Sequence, residues 1–178
     1  VAVLALLLVG SIVLYDAVHK GTIFAPLIMA ACRFLLYLVA ASASLHAVNG
    51  AVVWHGLALA AYITGLSYLA RSECGQGIAS RWPLLLLLAP LVVSVVINSH
   101  RDAISWMASA ILLAWILWCL RGMVGHAAQL IGKSVGGLLA GIVLVDWAAV
   151  PRMAGEFILV FITLFVLALI LQRKIPAT

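Results

Sequence analysis

The sequence predicts an all-α, polytopic transmembrane helical bundle of about seven spans, and three observations predict it. Of the 178 residues, 67% are hydrophobic and only 8% are charged, with a mean hydropathy of +1.28. The apolar residues come in runs of bilayer length, because a hydrocarbon core of about 30 Å takes roughly 20 helical residues to cross. Short stretches of turn chemistry separate the runs. Lipid offers no hydrogen bonds to a bare backbone, so helices, which satisfy their own N–H and C=O groups, are the expected element. The length fits a single transmembrane domain, residues 1–178, without a separate soluble domain.

The elements follow in order. The first run covers about residues 1–16 and stops ahead of Gly21, and the second covers about 24–45. Asn49-Gly50 opens the third, at about 50–71. After Gly75-Gln76-Gly77 comes a fourth at about 82–98, in which Pro83 and Pro90 are candidate kinks. Asn98-Ser99 precedes the fifth, at about 103–121, and Pro151 separates the sixth, about 133–150, from the seventh, about 154–172. Trp82, Trp106 and Trp147 fall near span ends, as interfacial aromatic belts require. Gly132, Gly136, Gly137 and Gly141 form small-residue pairs four apart, which let another helix approach closely.

Charge orients the bundle. Of ten Lys and Arg residues, seven (Lys20, Arg71, Arg81, Arg121, Lys133, Arg173 and Lys174) fall on one set of alternate connections. Arg101 and Arg152 fall on the other, and Arg33 lies within a span. The positive-inside rule makes the richer side cytoplasmic, so the expected location is an integral membrane protein of a bacterial inner membrane with a cytoplasmic C-terminus. This side is called the basic end below. The net charge of +5 and pI near 9.5 therefore reflect orientation. Nucleic-acid binding is excluded, because no basic run or aromatic–basic patch occurs. Cys32, Cys74 and Cys119 are an odd count without metal-type spacing, and no disulfide scaffold is expected.

Function must reside in the few polar residues. Tyr15, His19 and Lys20 close the first span at the basic end; Tyr15 and His19, four apart, share a helix face. A phenol, an imidazole and an ammonium at a membrane mouth suit an anionic headgroup or diphosphate, or equally an interfacial anchor. Arg33 sits about three turns into the second span with Tyr37 one turn deeper, where an arginine requires a polar cavity or a partner. Its guanidinium fork matches phosphate oxygens. Tyr62 and Tyr68 lie on the third span, which runs into Arg71 and Glu73, a lone carboxylate that is a weak Mg²⁺ ligand. His46 and His55 flank a turn at the opposite end and read as solvated, and Asp146 lies near the outer end of its span, within reach of Arg152.

Two of these segments resemble the UbiA-type intramembrane prenyltransferases. Tyr15-Asp-Ala-Val-His-Lys20 resembles that family's YxxxKR segment, with Tyr15 at its tyrosine, His19 at its lysine and Lys20 at its arginine. Tyr62-Ile-Thr-Gly-Leu-Ser-Tyr-Leu-Ala-Arg-Ser-Glu73 resembles its sixth helix running into the second acidic motif, where Ala70 replaces the leading aspartate and Glu73 alone is acidic. The resemblance covers roughly residues 1–100. It implies a bundle lacking here the first three helices of a UbiA-like fold, so that the chain, which begins at Val1, is the C-terminal portion of a longer protein. It implies transfer of a polyprenyl group from a polyprenyl diphosphate to an aromatic or other small acceptor molecule, with Mg²⁺ neutralising the diphosphate. The candidate substrate-binding residues are Tyr15, His19, Lys20, Tyr62 and Tyr68 in the two resembling segments and Arg33 and Tyr37 from the chemistry of the second span, with Glu73 as metal ligand. The alternative is a catalytically inactive UbiA-fold component that binds or transports lipid. Membrane lipid is a partner in either case.

The charge asymmetry makes one outcome testable at once. A fluorescent protein fused after Thr178 is expected to fluoresce in a bacterial host, and alkaline phosphatase at the same point to stay inactive. The reverse pair of results inverts the topology.

Overall fold

The computed structural model describes residues 1–19, 21–44, 48–72, 82–97, 103–123, 128–150 and 155–174. Among the described residues every element is α-helical. The helices are α1 (Ala2–Val18), α2 (Ala25–Ala43), α3 (Gly50–Ser72), α4 (Trp82–Leu87), α5 (Ala89–Ile97), α6 (Ala103–Met123), α7 (Ala128–Ala140), α8 (Ile142–Ala149) and α9 (Gly155–Lys174). Two pairs, α4–α5 and α7–α8, are rods interrupted at a single residue, so the nine segments form seven rods. Four stretches are long and apolar enough to cross a membrane: Ala25–Ala43, Gly50–Arg71, Ala103–Arg121 and Gly132–Ala149. Ala2–Val18, Trp82–Ile97 and Phe157–Gln172 are shorter apolar helices.

Local chemistry explains the boundaries. Pro26 occupies the first turn of α2, where the missing N–H has no intrahelical use. The Asn49 side chain accepts from the Val52 N–H at 2.9 Å and so caps the start of α3. The fourth rod breaks at Leu88 because Pro90 withholds an N–H. The chain tightens there into i→i+3 bonds, Leu88 N to Leu85 O at 3.1 Å and Leu91 N to Leu88 O at 3.0 Å. The sixth rod begins at Ala128, earlier than its apolar run suggests, and breaks at Gly141.

α3 is the axis of the fold. It packs against α2, α4, α5, α7 and α8, and its residues from Tyr62 to Leu66 are all buried. Two glycines let neighbours approach it. A Cβ on Gly56 would lie 3.0 Å from the Phe34 ring of α2, and one on Gly65 would lie 2.6 Å from the Pro83 backbone oxygen of α4. The core continues through Leu112 and Ile116 of α6, Leu138 of α7 and Leu144 of α8. The glycine stripe of the sixth rod does pack closely, since Cβ atoms on Gly137 and Gly141 would meet Cys119 Sγ at 2.8 Å and the Tyr62 hydroxyl at 2.7 Å. α1, by contrast, lies against α2 and buries no residue. Its exposed Val3, Leu6, Val9 and Val13 are apolar, as a face in hydrocarbon requires.

Gly65 provides a test of the axis. Gly65→Ala places a methyl against a backbone carbonyl that cannot rotate away, and is expected to destabilise the bundle by about 1–3 kcal/mol. Gly10→Ala, with nothing within 4 Å of the new atom, is expected to be neutral or stabilising. Unfolding of the purified protein in mixed micelles measures both.

Candidate functional site

At the basic end the chain turns from α1 to α2. The last turn of α1 stacks the Tyr15 and His19 rings, centroids 5.5 Å apart and planes 25° from parallel. His19 Nδ1 lies 2.9 Å from the Asp16 carbonyl oxygen. A carbonyl only accepts, so Nδ1 carries the proton and Nε2 is the nitrogen left for a ligand. Lys20 lies outside the described residues.

The last turn of α3 is tied to the same connection. Arg71 donates from Nη2 to the Thr22 carbonyl at 2.9 Å and from Nη1 to the Ile23 carbonyl at 3.2 Å. Tyr68, one turn earlier, donates to the Ile23 carbonyl at 3.2 Å and meets Trp82 edge-on, centroids 5.0 Å apart. A guanidinium has five N–H donors, so after two carbonyls Arg71 retains donors for an anion. Arg71 is not among the site residues expected from the sequence. The signal for its present role was the spacing of Tyr68 and Arg71, three apart on one face at the end of a span. Glu73 lies outside the described residues.

The remaining predicted site residues do not join this cluster. Tyr62 is fully buried and donates to the Leu138 carbonyl at 2.7 Å; the break at Gly141 presents that carbonyl to it. Trp115 of α6 donates to the neighbouring Gly137 carbonyl at 2.8 Å, so Tyr62 acts as a clasp between rods. Tyr37 is engaged toward the opposite end, where its hydroxyl donates to Asp146 Oδ1 at 2.6 Å. Arg33 is exposed, one turn from Tyr37, and close enough to Asp146 to act on it electrostatically. It stands eight residues into α2, about 12 Å from the helix start at 1.5 Å per residue.

His55 corrects the expectation of a solvated loop histidine. It lies within α3, 7% exposed, because other rods cover α3 even near its first turns. Its Nδ1 donates to the Ala51 carbonyl at 2.7 Å, while Nε2 is buried without a partner. Trp147 Nε1 of α8 is likewise buried and unpartnered. Each such atom costs about 1–3 kcal/mol.

The polar groups gathered around the connection from α1 to α2 are a phenol pair, an imidazole and the Arg71 guanidinium, and the phenols and the guanidinium are donors suited to an anion. Asp16 is the described carboxylate there, and among the described residues no three His, Cys, Asp or Glu side chains converge to hold a metal. The described groups there supply one carboxylate, and Glu73, the expected Mg²⁺ ligand, lies outside the described residues. No family model, curated protein or solved structure matches the chain.

Tyr37 offers a direct measure of the deeper pair. Tyr37→Phe removes a hydrogen bond to a carboxylate and leaves that group buried, and is expected to lower stability by about 1.5–3 kcal/mol. Adding Asp146→Asn to that variant should recover part of the loss, which a double-mutant cycle in unfolding experiments reads out.

Proposed function

We propose that this chain is a UbiA-like membrane prenyltransferase homologue whose basic end, lying in the cytoplasm of a bacterial cell, grips a polyprenyl diphosphate. One observation carries the reading. The two segments that resemble the family are far apart in sequence, yet the last turn of α3 bonds directly to the connection that follows Tyr15 and His19. Both therefore belong to one mouth.

The arrangement suits a diphosphate for stated reasons. Arg71 retains guanidinium donors after fixing the connection, Tyr15 offers a hydroxyl, and His19 Nε2 becomes a donor when the ring is protonated to the imidazolium. Charge-assisted bonds from such groups to phosphate oxygens are shorter and stronger than neutral ones. Held there, the donors would stabilise the negative charge that grows on the diphosphate as the allylic bond lengthens. The apolar bundle behind the mouth is a water-poor medium for the isoprenoid tail. Mg²⁺, where it takes part, would have to arrive on the diphosphate oxygens, and nothing in this reading is routed through it.

The composition of the mouth also favours a second reading, a catalytically inactive lipid-binding or transport component. It is rich in donors and offers Asp16 as its described carboxylate, and donors alone bind a diphosphate without turning it over.

Titration of geranylgeranyl diphosphate into the detergent-solubilised protein separates these readings from an unrelated bundle. Micromolar binding, weakened about tenfold (1.4 kcal/mol) by His19→Leu, is the expected result. Product formation with a phenolic acceptor and Mg²⁺ selects the transferase, and binding without turnover selects the lipid-binding component. Unchanged affinity in the variant would remove the basic end from consideration.

A further inference from the structure

A second polar layer lies in the opposite half of the bundle, and the diphosphate reading does not use it. Its depth follows from the register of α3 against the sixth rod. The Tyr62 hydroxyl comes to 2.7 Å of where a Gly141 Cβ would stand. From that crossing α3 and α8 run antiparallel. Two turns outward, about 10 Å, bring α3 to His55 and α8 to Trp147 and Ala148. α2 reaches the same layer, since a Cβ on Gly56 would lie 3.4 Å from Tyr37 Cβ, and Tyr37 in turn bonds Asp146.

The layer combines a satisfied pair with two unsatisfied atoms. The Nδ1 proton of His55 is committed to the Ala51 carbonyl, so Nε2 presents a lone pair in the neutral ring. Trp147 Nε1 presents an N–H. Both are buried without a partner, one an acceptor and the other a donor. A hydroxyl group is the smallest function that answers both, donating to an imidazole nitrogen and accepting from an indole. The layer also has a side facing the bilayer. α2 and α8 make no extended contact, and the Tyr37–Asp146 bond spans between them with exposed Arg33 one turn away.

We propose that this layer is a buried binding site for the hydroxyl group of a small lipid-soluble alcohol or phenol, which enters from the bilayer between α2 and α8. His55 Nε2 accepts the hydroxyl proton and Trp147 Nε1 donates to its oxygen. Phe34 and Tyr37, which pack against α3 at Gly56, and Trp147 make the layer aromatic, and such a layer suits a flat, apolar body behind the hydroxyl. This site is separate from the basic end and stands whether or not that end binds a diphosphate.

The test uses the whole protein in detergent micelles with para-fluorophenol as probe and fluorobenzene, its hydroxyl-free counterpart, as control. Fluorine NMR is expected to show saturable binding of the phenol and at least tenfold weaker binding of fluorobenzene, with nitrogen NMR moving the His55 Nε2 signal as the phenol binds. Trp147→Phe, which removes the N–H while keeping an aromatic ring, and His55→Leu should each weaken the phenol about tenfold. Two outcomes overturn the proposal. One is equal binding of the two probes by the native protein. The other is variants that gain thermal stability while phenol binding stays unchanged, the behaviour of core atoms tolerated without partners or served by a trapped water. Because Trp147→Phe keeps an aromatic, apolar side chain and introduces no new polar group, it decides the matter should His55→Leu fail to fold.

Discussion

Everything in this bundle depends on how closely other helices can come to α3. Hydrocarbon supplies no hydrophobic force between helices, so their association rests on dispersion contacts and on whatever hydrogen bonds cross between them. Both need short distances. Gly56 and Gly65 open α3 to α2 and α4, and on its third side the bare backbone at Gly141 admits the Tyr62 hydroxyl. A larger residue at any of these places would push a whole rod outward. The polar bonds at either end of the helix would lengthen with it.

The crossing at Gly141 shows how one residue serves two purposes. An interruption in a membrane helix frees backbone carbonyls that lipid cannot satisfy. Here the freed Leu138 carbonyl takes Tyr62, while the Gly137 carbonyl, still bonded to the Gly141 N–H, takes Trp115 as a second donor. Trp115 then rests edge-on against Phe165 of α9, centroids 4.8 Å apart. The break therefore recruits a side chain from α3, and the glycine beside it admits one from α6 that in turn anchors a third helix. In water the same carbonyls would be solvated and the break would bind nothing together.

The helices were legible because bilayer length and turn chemistry are local properties. The kink near Pro90 was legible too, since the missing N–H is written into the residue. The break at Gly141 was not, because its stripe of small residues reads as a surface for close approach and the partner of the freed carbonyl lies 76 residues away. The site divides along the same line. Tyr15 with His19 was readable as one helix face. Tyr37 with Asp146, 109 residues apart, was not, and Asp146 was instead assigned to Arg152, outside the described residues. His55 was misread because a histidine five residues past a turn is solvated only if its helix face is open, and that depends on which other rods cover α3.

The separation of the two polar layers constrains what they can do together. Tyr37 stands twelve residues beyond the start of α2, about 18 Å along the helix, whereas Thr22 and Ile23 lie just before that start. A reacting acceptor must sit about 3–3.5 Å from the carbon it attacks. An allylic carbon attached to a diphosphate held by Arg71 and His19 is therefore out of reach of any group bound beside His55. If the basic end performs prenyl transfer, its acceptor occupies space near that end, and the outer layer does not supply it. The fully buried Tyr62 clasp lies between the two layers. Its spent hydroxyl leaves the intervening stretch of α3 apolar, which suits the tail of a lipid more than a path for ions. Two polar layers at opposite depths, separated by an apolar middle, are the arrangement these residues build.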